Sequence, residues 1–175
     1  ADQARSGDPD TLKKHMDRAR ETARNSLDQA RRVVRDLRPD LLEQFSLPDA
    51  LKRTMDRWSE TTDIKATTTI TGDLFPLHPN IEVILLRAAQ ESLNNIHKHA
   101  QATSARLTIS YMEDVIIMDV KDNGVGLNNA PKSPLSGGYG LRAMTERVKQ
   151  YGGSVELESE PGEGTTVVVT IPLSD

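Results

Sequence analysis

Apolar positions recur at steps of three and four through the first quarter of the chain: Leu12, Met16, Ala19, Ala23, Leu27, Ala30, Val34, Leu37 and Leu41. That spacing puts them on one narrow stripe, with Arg, Lys, Asp and Glu on the other faces, and predicts a bundle or coiled-coil helix over about 10–41. Arg38-Pro39 ends or kinks it, because proline supplies no amide donor and crowds the preceding turn. The pattern then changes. Ser46-Leu47-Pro48-Asp49 has the form of a capping box and opens a helix through about Glu60. The β-branched run 64–71 predicts a strand, 80–99 a long helix, and 105–111 with 115–120 two strands around a turn at Glu113-Asp114. Residues 122–138 show no apolar periodicity. A helix over 141–151 ends at Gly152-Gly153, and strands at 154–159 and 165–171 flank Pro161-Gly162-Glu163-Gly164. The order after residue 42 is αβαββαββ, which predicts the α+β class: a mixed sheet covered on one face by helices. Two units are expected, the long helix in 1–42 and the α/β sandwich in 43–175.

Composition narrows the picture modestly. Two Phe, three Tyr and one Trp in 175 residues leave the core to Leu, Ile, Val, Ala and Met. A net charge of −4 argues against general attraction to nucleic acid. The absence of cysteine removes disulfides, thiolate metal sites and thiol nucleophiles together. The longest apolar candidate, Val83-Ile84-Leu85-Leu86, stops at Arg87, far short of the roughly 20 residues a membrane helix needs. With no initiator Met, the chain reads as a piece of a longer or processed protein. A cytoplasmic domain is expected, with any membrane anchor in other parts of the parent.

Four constellations could carry chemistry. Glu91 and Asn95 are four apart on one helical face, with Lys98 three further on. A carboxylate, an amide oxygen and an ammonium could hold Mg²⁺ and a phosphate chain, or form an ordinary solvated face. Asp122-Asn123-Gly124-Val125-Gly126 follows an apolar strand. It is a hairpin turn if a partner strand comes next. If a loop comes next, its Asp can accept from an exocyclic amine while glycine lets the backbone approach a flat base. Gly137-Gly138-Tyr139-Gly140-Leu141 opens a helix whose free amides suit phosphate oxygens, although P-loop and dinucleotide-fold signatures are missing. Gly162-Glu163-Gly164-Thr165 alone is a Gly-rich hairpin.

In this order, the four resemble the boxes of the Bergerat-fold ATPases, a clan of histidine kinases, type II topoisomerases, mismatch-repair ATPases, heat-shock chaperones and anti-sigma-factor kinases. Within it, LRPDLLEQFSLPDAL (37–51), AAQESLNNIHKHA (88–100) and GLRAMTERVKQYGGSVELES (140–159) are most similar to the sensor histidine kinases paired with helix-turn-helix response regulators. The resemblance implies an ATP-binding catalytic domain preceded by the second helix of a dimeric bundle. It implies ATP and Mg²⁺ as cofactors, a cognate response regulator as partner and a homodimeric parent. Asn95 would ligate Mg²⁺, Glu91 would orient or activate the attacking group, and Lys98 would contact phosphate, with His99 beside the nucleotide. Asp122 would accept from the adenine amine with support from Thr165, Gly124 and Gly126 would shape the base pocket, and Gly138, Gly140 and Leu141 would receive the phosphates. Residues 127–137 would form the ATP lid.

One departure stands out. The family's phosphoacceptor is a His followed by an acidic residue, whereas His15 precedes Met16, His78 precedes Pro79, His97 precedes Lys98 and His99 precedes Ala100. The expectation is therefore a chain that binds ATP and has no histidine of its own to phosphorylate. Two rivals remain: an anti-sigma-factor serine kinase of the same clan, which needs no long striped helix, and a nucleotide-free dimerisation or signalling module.

Overall fold

The structure is a computed structural model that describes residues 39–127 and 139–173. The striped helix expected over 10–41 lies almost wholly outside the described residues. A short helix that the apolar spacing does not predict, α1 (Asp40–Gln44), follows Pro39 and buries Leu42. The compact unit that holds the sheet begins at Asp40.

Helix α2 (Leu47–Thr62) starts where its cap chemistry says it should. Ser46 is extended, its hydroxyl accepts from the Asp49 amide, and Pro48 occupies the first turn, where no amide is missed. Leu47, Ala50, Leu51 and Met55 face inward, and the helix stops at Asp63 in a left-handed conformation. Strand β1 (Lys65–Thr71) follows. Helix α3 (Pro79–Asn95) is capped by an unexpected residue: the His78 imidazole accepts from the Asn80 amide at 3.2 Å. Its last turn widens into a π-helical turn, Ile96–Ala100, so the uniform helix expected to residue 99 is replaced by two geometries.

Strands β2 (Ser104–Tyr111) and β3 (Val115–Asp122) form a hairpin. Helix α4 (Tyr139–Lys149) and strands β4 (Ser154–Ser159) and β5 (Thr165–Pro172) complete the chain. The sheet order is β1-β2-β3-β5-β4, with β1 parallel to β2 and every other pair antiparallel. This is the expected mixed sheet in an α+β sandwich.

Burial alternates along the central strands, so one face of the sheet carries the core. Leu107 and Ile109 of β2, Ile116, Met118 and Val120 of β3, and Val169 and Ile171 of β5 are buried. They pack with Leu85, Leu86 and Ala89 of α3 and Met144 and Val148 of α4 in one hydrophobic cluster. Among the described residues, no helix is long and apolar enough to cross a membrane. Leu85 has no exposed surface, so Leu85→Ala leaves a cavity between α3 and the sheet. It should cost about 2–5 kcal/mol, read as a lower urea midpoint with unchanged slope.

Candidate functional site

The core-facing row of β3 runs Ile116, Met118, Val120 and then Asp122, at the period of two that a strand imposes. Asp122 is thereby delivered into the interior, 4% exposed, at the end of an otherwise apolar row. Its Oδ1 accepts from the Gly124 amide at 2.7 Å, and the Thr165 amide also bonds the carboxylate. Burial nevertheless pushes its pKa up, and those two donors pull against the shift without cancelling it. No hairpin partner follows Asp122, because β3 pairs with β2 and β5. Asn123 is structural: its Oδ1 accepts from the Thr103 and Ser104 amides, both at 2.9 Å.

A cleft of about 380 Å³ opens above Asp122, between α3 and the sheet. Its floor is apolar, formed by Val120 and Val167 of the sheet, Leu157 of β4, Ile96 of α3's widened turn and Leu141 of α4. Glu91, Asn95 and His99 line one side from successive turns. Gly126 and Leu127 come from the loop after β3, Gly140 from the start of α4 and Thr165 from the start of β5.

Of the residues expected from sequence, Glu91, Asn95, His99, Asp122, Gly126, Gly140, Leu141 and Thr165 therefore meet at one cleft. Two do not line it. Lys98 is exposed and outside the lining, since the wider π turn brings His99 onto the face shared by Glu91 and Asn95. Gly124 lies buried behind the cleft, where a Cβ would strike the Ala100 carbonyl, and so shapes the pocket indirectly. Gly138 and nearly all of the expected lid, 128–137, lie outside the described residues.

Gly140 leaves room for the Glu91 carboxylate, which a Cβ there would displace from its present position. Gly126 has φ +66°, and a Cβ would collide with the Glu160 carbonyl.

Sequence reasoning missed Ser159 and Ser92. Ser159 Oγ accepts from the Leu127 amide at 2.9 Å, donates to the Gly164 carbonyl at 2.9 Å and meets Thr165 Oγ1 at 3.0 Å. With its one proton on Gly164, Ser159 must accept from Thr165, which leaves Thr165 Oγ1 an acceptor toward the cleft. Both serines lie inside the runs 88–100 and 140–159, where nothing local sets them apart, and it is the pairing of β4 with β5 that brings Ser159 to the site.

Two family models match the chain. One, described as "Histidine kinase-, DNA gyrase B-, and HSP90-like ATPase", covers residues 80–175, and one described as "Histidine kinase" covers residues 1–42. The signal transduction histidine-protein kinase/phosphatase DegS of Brevibacillus brevis is 32% identical over 89% of this chain and 40% of its own length. The oxygen sensor histidine kinase NreB of Staphylococcus carnosus is 28% identical over 85% of this chain and 43% of its own. The chain thus spans less than half the length of these relatives. A solved histidine kinase domain, from the blue-light activated kinase EL346 of Erythrobacter litoralis, superposes with a TM-score of 0.61 at 22% identity, over 73% of this chain and 61% of that one, a likeness of fold.

The raised pKa of Asp122 has a consequence for stability. Between the ordinary value of 3.8 and the raised one, the folded protein holds a proton that the unfolded chain has released. The carboxyl's favourable contribution is therefore complete below 3.8 and is lost as pH rises through the folded value. Asp122→Asn should raise the denaturation midpoint of the ligand-free protein at pH 7, by an increment that shrinks as pH falls toward 4. A lower midpoint at pH 7 would show that the ionised carboxylate is stabilising.

Proposed function

The chain belongs to the histidine kinase-, DNA gyrase B- and HSP90-like ATPases, and from that premise we propose that residues 43–175 are the catalytic domain of a sensor histidine kinase. They would bind ATP in the cleft above Asp122 and present its γ-phosphate to a histidine outside these 175 residues. The observation that carries this reading is a buried carboxylate in an apolar slot, flanked by a polar face of Glu91, Asn95 and His99.

The slot suits a flat base. Asp122 accepts from the exocyclic amine of adenine, whereas guanine would set its own O6 lone pairs against the carboxylate. Val120, Val167, Ile96 and Leu141 cover the base faces. Phosphates leave the slot toward the start of α4, whose free amides and dipole favour negative charge. Among the described residues, no group of three His, Cys, Asp or Glu could hold a metal by itself. Asn95, with Glu91 one turn before it, instead offers the few hard oxygen donors that suit Mg²⁺, which takes its other ligands from phosphate and water. When bound, Mg²⁺ would supply neutralisation of phosphate charge. Glu91 would orient the imidazole so that its unprotonated nitrogen faces the phosphate, the ring proton sitting on the other nitrogen, and Gly140 keeps the space that this carboxylate occupies.

The match at 1–42 to the model described as "Histidine kinase" supports this reading over a serine kinase of the same clan. A bundle helix there fits a homodimeric parent with a response regulator as phosphate acceptor. The intact cleft argues against a decayed nucleotide site.

Isothermal titration should give one Mg²⁺-ADP site per chain, and no saturable heat at millimolar nucleotide would sink the proposal. Asp122→Ala should weaken ADP by about 10- to 100-fold, the worth of a charge-assisted hydrogen bond of about 1.5–3 kcal/mol, and erase the preference over GDP. No His in the chain precedes an acidic residue. With γ-labelled ATP, the chain alone should therefore take up no acid-labile phosphate, yet phosphorylate a separately supplied helix bearing a His-Asp or His-Glu pair. Label on the isolated chain that disappears in His15→Ala would overturn this.

A further inference from the structure

Three polar residues are buried among those described: Ser92, Asp122 and Thr145. Two of them have their hydrogen bonds. Asp122 accepts from the Gly124 amide, and Thr145 Oγ1 donates back to the Leu141 carbonyl one turn earlier at 2.8 Å, as hydroxyls in helices commonly do. Ser92 differs. It is 2% exposed, its Oγ has no hydrogen-bond partner among the described residues, and it lines the cleft. Among the described residues, the indole Nε1 of Trp58 is likewise buried without a hydrogen bond, but Trp58 does not line the cleft, whereas Ser92 does. A buried hydroxyl left without a partner is costly, so a partner supplied from outside the chain is the economical explanation.

Helix geometry says which part of the cleft Ser92 serves. It precedes Ile96 by one turn and lies about 100° around the helix from Glu91. It therefore shares the apolar side of the slot with Ile96, away from the Glu91–Asn95–His99 face. Proton bookkeeping then gives its role. On the base side, ionised Asp122 can only accept, and Thr165 Oγ1 has committed its proton to Ser159. An adenine edge presents a donor amine and also ring nitrogens that only accept. The side chains otherwise offer that edge acceptors, and the hydroxyl of Ser92 is the donor left over.

We propose that Ser92 is a specificity-determining residue of the nucleotide site, its Oγ–H donating to a ring nitrogen of the purine directly or through one ordered water. Asp122 reads the amine, and Ser92 reads the acceptor edge. The proposal rests on the assignment of the cleft to ATP, and its test separates the two.

The test titrates Mg²⁺-ADP and its 1-deaza, 3-deaza and 7-deaza analogues into the wild-type chain and into Ser92→Ala. In the wild type, one deaza analogue should bind about 3- to 10-fold more weakly than ADP, the effect of one lost neutral hydrogen bond. In Ser92→Ala, ADP itself should weaken by a similar factor, and the penalty for that analogue should vanish. The ligand-free Ser92→Ala protein should be at least as thermally stable as the wild type, because it has lost an unsatisfied hydroxyl. A purely structural serine would give the opposite pattern: lower thermal stability and unchanged discrimination among the analogues. If the wild type binds ADP and the variant matches it on all four nucleotides, the role of Ser92 is overturned while the ATP site stands. If the wild type binds none of them, both fall.

Discussion

A carboxylate held inside an apolar sheet face is the constraint around which this domain is arranged. The pleat of β3 carries Asp122 inward after Ile116, Met118 and Val120. A charge removed from water must be met by donors or it will take up a proton. The donors are backbone amides, Gly124 from the loop that leaves β3 and Thr165 from the first residue of β5. Both loops must come close to do this. Gly124 sits against the Ala100 carbonyl and Gly164 against the backbone of Asp122, at distances no Cβ would tolerate. The pocket and the ends of β3 and β5 are thus fixed by a single requirement. Its two amides also explain why burial raises the carboxyl's pKa without preventing it from accepting a ligand's hydrogen.

The C-terminal end of α3 is the second half of the arrangement. An α-helix continued to residue 99 would have kept Glu91, Asn95 and Lys98 roughly in line. The π turn at Ile96–Ala100 instead turns through less angle per residue, which brings His99 onto the cleft face, and it ends at Gln101 in a left-handed conformation. The turn also frees the Ala100 carbonyl to accept from the Val125 amide at 2.8 Å, which pins the glycine loop to the helix. Helix and loop therefore form one rigid rim. Under the proposed function, the polar face of that rim would take phosphate and Mg²⁺, and its apolar face, where Ile96 and Ser92 lie, would take the base.

How much of this the sequence determined follows from which interactions are local. Helices and strands were legible because their signals are short-range: the Ser46 cap, β-branched runs, period-two and period-four burial, and Gly152 after α4. Most site residues were legible for the same reason. Glu91 and Asn95 are one turn apart, and Asp122 and Gly126 lie in one five-residue run. Tertiary structure decided what depends on contacts between distant segments. The short helix α1 exists because Leu42 is buried in the core. The loop after β3 donates a hydrogen bond to the π turn that ends α3, and with that turn His99, not Lys98, lines the cleft. Ser159 joined the site through strand pairing, and Ser92 did so through what its neighbours failed to offer it. Local sequence fixes torsion angles and the face a residue occupies. Whether a hydroxyl or an ammonium at that face meets a partner depends on segments tens of residues away, and only the assembled fold brings them within hydrogen-bonding distance.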